Sequence, residues 1–429
     1  MAGPIIRAGP VTVVLRPFMP FRRRGGSPSA ATSLGRLLAS LLLAVGATQP
    51  AAAPYTPTDD RQVLATVPAR DRDLRARELA VLRKAWQAAP QQLDIALALA
   101  RGCIGELLAR GDPRHAGCAQ AALAPWWAEA APPAAVRVER AVLLQFEHRF
   151  DEALADLDAA LAAEPDNAAA WAWRTAILLV LARPDEARPG CRRVGELSGP
   201  LLGSACLAQI DALTGSAAAA ALRLRAALAA APAADAPARL WSLTRLAEIE
   251  SRRGQVAAAE AAFREALALD WPDVYLRAAY ADLLLDLNRA PEVLTLLERD
   301  AGSDLLLLRL AQAGLATRDP RAARWSDELA ARFAAARQRG DTTHRKEEAR
   351  FLLSVRQQPA LALPLARLNW QQQREPADAR LLLEAALAAG EPAAAQPVLQ
   401  WMDTTRIESA ALQPLAQRLR AAGATGAPR

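Results

Sequence analysis

The side chains best equipped for covalent chemistry are four cysteines, Cys103, Cys118, Cys191 and Cys206, set in two pairs each 15 residues apart. The first pair is centred on Gly111 and the second on Ser198-Gly199-Pro200, both turn-forming stretches. In an antiparallel helix pair, residues equidistant from the turn stand at the same height. Each pair then comes within the roughly 4.4–6.8 Å between Cα atoms that a disulfide needs. Four buried thiols are the alternative, because free cysteine packs as a small hydrophobe. An even count, if the chain reaches an oxidising compartment, favours two bridges, Cys103–Cys118 and Cys191–Cys206.

Other reactive patterns are missing. No Gly-x-Ser-x-Gly occurs, so no nucleophile elbow is indicated. The only lysines, Lys84 and Lys346, do not follow a glycine-rich run, which removes a phosphate-binding loop. His115, His148 and His344 are far apart with no partner one helical turn away, so no metal site is expected. No catalytic residue and no cofactor is expected either. The run from His344 to Glu348 reads most simply as a solvated helix face, and Trp126-Trp127 after Pro125 as a pair with at least one ring in the core.

The elements that must position these residues are short amphipathic helices. Between Ala134 and Asn167, small residues stand at Ala141, Ala153 and Ala160, large apolar ones at Leu144, Leu154, Leu157 and Leu161, and Pro165 closes the unit. Two helices folded on each other would place alanine where backbones approach and leucine between them. Turn-marking residues recur at His148, Ala182, Gly215, Gly254 and Asn288, spaced 34, 33, 39 and 34. Further copies begin near Ala168, with Trp171 early, and at 240–273, with Ala247, Gly254, Ala259 and Phe263 in register. From Ser303 to Glu375 the pattern weakens, and an arginine-rich run to His344 suits a longer, solvated helix. The chain resembles the tetratricopeptide repeat over most of residues 76–405. That resemblance implies an all-α fold, a right-handed superhelical solenoid of about nine or ten antiparallel helix–turn–helix hairpins over residues 70–422. Gly423 onward is expected to be a loose tail.

Charge separates the N-terminus from the rest. The chain has 52 Lys+Arg and 46 Asp+Glu, but six arginines lie in the first 47 residues without one acidic residue, so residues 48–429 are formally neutral. No persistent basic face remains, which argues against nucleic acid as a partner. Arg22–Arg24 and Arg36 precede the apolar run 37–47, an export-signal layout in which Met19 would serve as the start. Val45-Gly46-Ala47 suits cleavage before Thr48, and Ala53 is a second cleavage position. Residues 1–53 are therefore expected to be the signal region and 54–69 a linker. Eleven mostly apolar residues are too few to span a bilayer, which takes about 20.

The function expected is that of a periplasmic or secreted, non-enzymatic scaffold that binds a protein or extended peptide in its concave groove. Helical phase directs Trp173, Trp241, Arg245, Glu248, Tyr275 and Asp282 to that side, where aromatic and arginine side chains anchor partners well. The other reading is an envelope enzyme, or an enzyme-associated subunit of cell-wall or polymer-export machinery, supported by the solenoid.

Overall fold

The computed structural model describes residues 74–298 and 300–425. The signal region, the linker and residues 426–429 lie outside the described residues. Among those described, every regular element is a helix.

The helices come as hairpins, each a first and a second helix. After α1 (Leu74–Ala88) the pairs are α2 (Leu93–Arg110) with α3 (Arg114–Trp127), α4 (Ala134–Phe146) with α5 (Phe150–Ala163), and α6 (Ala168–Val180) with α7 (Pro184–Ser198). Next are α8 (Pro200–Leu213) with α9 (Ala217–Ala230), α10 (Ala236–Arg252) with α11 (Val256–Leu267), and α12 (Val274–Asp286) with α13 (Ala290–Leu297). Then follow α14 (Asp304–Thr317) with α15 (Ala322–Gln338), α16 (Arg345–Ser354) with α17 (Pro359–Gln372), and α18 (Pro376–Ala389) with α19 (Gln396–Thr405). A 3-10 turn, Pro392–Ala395, leads into α19, and α20 (Leu412–Thr425) ends the array. It passes Gly423, where the sequence predicts a tail to begin, because the flanking alanines favour helix enough to carry one glycine.

One turn chemistry is used repeatedly. His148, Ala182, Gly215, Gly254, Asn288 and Arg318 all have left-handed φ, from 55° to 80°. The residue after each donates its N–H to the carbonyl five positions earlier: Arg149 to Leu144, Arg183 to Leu178, Ser216 to Asp211, Gln255 to Glu250, Arg289 to Leu284 and Asp319 to Gly314, at 2.8–2.9 Å. That bond ends the first helix, satisfies a carbonyl it would orphan, and aims the chain back into the second helix.

Close approach within and between hairpins explains the alanine content. Ala141, Ala153, Ala160, Ala259 and Ala266 are fully buried. At the α7/α8 crossing the backbones themselves touch: a Cβ built on Gly203 would lie 2.5 Å from Gly195 Cα. Most consecutive first helices also pack side by side, α6 and α8 excepted, whereas consecutive second helices barely meet. The tighter layer must lie on the inside of the curve, so first helices line the concave face.

The winding is tight enough for successive turns of the superhelix to meet. Gly111, between α2 and α3, sits against Ser303 and Val274, and the Arg75 guanidinium lies 4.4 Å from the Trp271 ring centre. Gln372 Nε2 donates to the His148 carbonyl at 3.1 Å. Arg374 N donates to Val180 O at 2.8 Å, and Ala410 N to Arg252 O at 2.7 Å. Gly215 faces Arg406 in the same way. Each hairpin turn in the first half thus rests on a segment five or six hairpins further along the chain.

Candidate functional site

Two inner-layer helices carry the most concentrated set of charged and aromatic groups. On α10 the stripe is Trp241, Arg245, Glu248 and Arg252; on α12 it is Tyr275, Asp282 and Asp286. These spacings of three, four and seven keep residues on one helical face. Both helices begin with an aspartate cap: Asp235 accepts from Ala238 N at 2.8 Å and Asp273 from Leu276 N at 2.7 Å. The caps fix where each stripe starts.

Across the stripe, Arg245 pairs with Glu248 at 3.0 Å, with 11% and 18% of the side chains exposed. Tyr275 donates its hydroxyl to Glu248, and the Arg245 guanidinium lies 4.8 Å from the Tyr275 ring centre. Burial, together with the Glu248 charge, raises the Tyr275 pKa, so the phenol stays a donor. Burial alone would weaken the Arg245 charge, but Glu248 and Tyr275 outweigh it. For Arg252 burial prevails and lowers the pKa, with Glu248, Tyr275 and Glu375 offsetting it only in part. The Nε–H groups of both Arg245 and Arg252 are buried without an acceptor among the described residues. Tyr275 nevertheless keeps 43% of its surface open, on the same inner face as these enclosed donors.

Asp282 is held otherwise. Arg309 reaches it at 2.7 Å and Arg350 at 2.6 Å. Burial opposes its ionisation, but the two guanidinium groups prevail and hold its carboxyl well below the usual range. Asp286 takes both terminal nitrogens of Arg380 at 2.6 and 2.8 Å. Beside these, Lys346 Nζ meets Asp378 at 3.0 Å and Glu375 at 3.6 Å. Asp378, 1% exposed, also accepts from Asn369 Nδ2 at 3.0 Å and Glu375 N at 2.9 Å. Burial lowers the lysine pKa, yet the two carboxylates more than reverse it. Glu375 moves upward through burial.

Of the six residues singled out in the sequence, three thus meet, Arg245, Glu248 and Tyr275, while Asp282 sits in a separate ion-pair cluster with Arg309 and Arg350. Trp173 and Trp241 are partly buried and pack between neighbouring core clusters, Trp173 against those of α2–α4 and α4–α8, Trp241 against those on either side of α8. Trp126 and Trp127 also pack partly buried on the first cluster. The stretch 344–348 is not a solvated face: Lys346 lies in the network, and Glu348 is 8% exposed and bonded to Arg337. It is buried by its neighbours in the array: Glu348 meets Arg337 of α15, and Lys346 meets Glu375 and Asp378 between α17 and α18. Arg252 stands seven residues after Arg245 and was findable from helical phase; Arg309, Arg350, Glu375 and Asp378 were not.

The structure joins Cys103 to Cys118 and Cys191 to Cys206, with Cα separations of 6.0 and 5.3 Å. Among the described residues no group of three or more His, Cys, Asp or Glu is placed to hold a metal. The chemistry on the inner face is ion pairing and hydrogen bonding.

No family model and no curated protein matches the chain. Solved structures similar to it include the APC/C hetero-tetramer Cut9–Hcn1, with TM-score 0.39 and 15% identity over 72% of this chain and 52% of that one. The chain spans about half the length of that first structure. Yeast Tom70 follows with TM-score 0.36 and 10% identity, covering 82% and 85%. The TPR domain of P58(IPK) has TM-score 0.21 and 14% identity, covering 83% and 95%. The fold assignment stands on the hairpin packing described above.

Proposed function

We propose that the chain is a non-enzymatic scaffold of the cell envelope, exported and trimmed near Thr48 or Pro54, that binds a protein or peptide through the inner face of its first helices. The observation that carries this reading is the combination on α10 and α12 of an open Tyr275 ring with buried, unsatisfied Nε–H groups on Arg245 and Arg252. Buried donors without acceptors are costly and mark where an incoming carbonyl or carboxylate gains most. Tyrosine and arginine are also the side chains that most often dominate interfaces. Export is supported by the charge–apolar–small order at the N-terminus and by the two cysteine bridges. No helix among those described is long and apolar enough to cross a membrane.

The test uses the mature full chain as bait against envelope extract, with the recovered partner then titrated directly. Tyr275→Ala and Arg252→Ala should each weaken that partner about tenfold or more while leaving helix content and melting temperature nearly unchanged. Unchanged affinity would place recognition elsewhere. The same preparation, incubated with peptidoglycan and with ester substrates, should release no product, and its intact mass from the periplasmic fraction should match a start near residue 48 or 54. Turnover would favour the enzyme reading, and a full-length mass would remove the export reading.

A further inference from the structure

A second site lies on the other layer of the solenoid and stands apart from the inner-face reading. Consecutive second helices diverge along the whole array, and between α17 and α19 the gap becomes a cavity of about 390 Å³. The 3-10 turn at Pro392–Ala395 helps form it, since it replaces the first turn of a regular second helix with a tighter one. The floor includes Leu382 of α18, and the walls include Trp370 and Trp401, which meet edge to face at 5.3 Å between ring centres.

Three features give this cavity a chemical preference. Arg367 and Arg374, seven residues apart on and just beyond α17, both line it and are exposed. Neither side chain has an ion-pair partner among the described residues, and no acidic residue lines the cavity. The indole N–H of Trp401 is buried without an acceptor. Gln371 and Gln400 add amide groups at the rim. A planar guanidinium fork fits a planar two-oxygen group best. The tryptophan walls suit a flat apolar neighbour, and the volume suits a small ligand or one or two side chains of a peptide.

We infer that the α17–α19 cavity binds an organic carboxylate that carries an adjacent aromatic or apolar group. Such a group is either the free carboxylate of a small molecule or chain end, or an acidic side chain beside an aromatic one within a peptide. The full mature chain, labelled with 15N at its tryptophan indoles, gives a direct readout, and Trp401→Phe assigns the relevant resonance. Titration with N-acetyl-L-phenylalanine supplies the free carboxylate, acetyl-Phe-Asp-Phe-amide the internal one, and N-acetyl-L-phenylalaninamide the neutral control. The Trp401 resonance should shift saturably with one or both acids and not with the amide. Arg367→Ala and Arg374→Ala should each weaken the effect about fivefold with an unchanged melting temperature, as both side chains are exposed. The tighter of the two acids tells which source the cavity prefers. An equal response to the amide, indifference to both arginine substitutions, tighter binding of inorganic phosphate, or no saturable shift with either acid overturns the inference.

Discussion

At the scale of single residues, chemistry concentrates where a side chain is fixed by something far away in sequence. His148 is the clearest case. Its backbone holds the left-handed turn, its ring stacks on Phe150 with centres 5.5 Å apart, and its carbonyl receives Gln372. Burial, with Lys346, His344 and Arg345 nearby and only Asp378 in opposition, lowers its pKa to about 4. An unfolded histidine titrates near 6.5. As pH falls from there towards 4, the unfolded chain takes up a proton that the folded chain refuses, so stability falls through that window. The loss should reach about 3 kcal/mol. His148→Asn keeps a residue that tolerates left-handed φ and should flatten that part of a denaturation profile against pH; an unchanged slope would show that His148 is not its source. The cysteines give the other prediction at this scale. Peptide mapping without reductant should recover Cys103 linked to Cys118 and Cys191 to Cys206. Each short loop should add about 3 kcal/mol, read as a lower denaturant midpoint after reduction.

For helices and turns, the recurring left-handed residue sets how each hairpin reverses. Glycine occupies that position at Gly215 and Gly254, but alanine does at Ala182, with φ 57°. An alanine there carries a Cβ clash that glycine lacks. Ala182→Gly should therefore stabilise the chain by about 1 kcal/mol, because relief of the strained φ exceeds the extra flexibility of the unfolded chain. Gly215→Ala should cost about 1–2 kcal/mol. Its new Cβ also stands 3.1 Å from Arg406 O, so the packing of one superhelical turn on the next is disturbed as well. Thermal melts of the two variants should move in opposite directions; the same sign for both would mean that backbone strain does not control these turns.

Across the whole molecule, the decisive feature is that the second half of the array rests on the first. The loop between α17 and α18 lies at the centre of that contact, since Gln372 and Arg374 reach the turns at His148 and Val180. Asp378 holds the loop in shape through Lys346, Asn369 and the Glu375 backbone. Removing one member of a buried ionic network leaves its partners uncompensated, so Asp378→Ala should cost about 3 kcal/mol. Hydrogen exchange should rise first at the turns near residues 148 and 182, ahead of the helices that flank them. Uniform loss of protection would mean that the array opens only as a single unit.

The sequence by itself determined what depends on neighbours within one hairpin. The alternation of small and large residues from Ala134 to Asn167 specifies two packed helices, and the left-handed positions follow from residues such as Gly215, Gly254 and Asn288 at a near-constant spacing. Cysteines equidistant from Gly111 and Gly199 face one another for the same local reason. Phase along a single helix was enough to group Arg245 with Glu248, and Tyr275 with Asp282. Only the tertiary structure decided how tightly the hairpins wind. That winding is the sum of small rotations between neighbours, each set by the volumes of a few interlocking side chains, and no spacing in the chain records the total. It is this sum that sets Gln372 and Arg374 against the turns at His148 and Val180 and brings the Glu375 charge to act on Arg245 and Arg252. Helical phase gives the direction of a side chain, but what stands opposite it depends on other hairpins of the array.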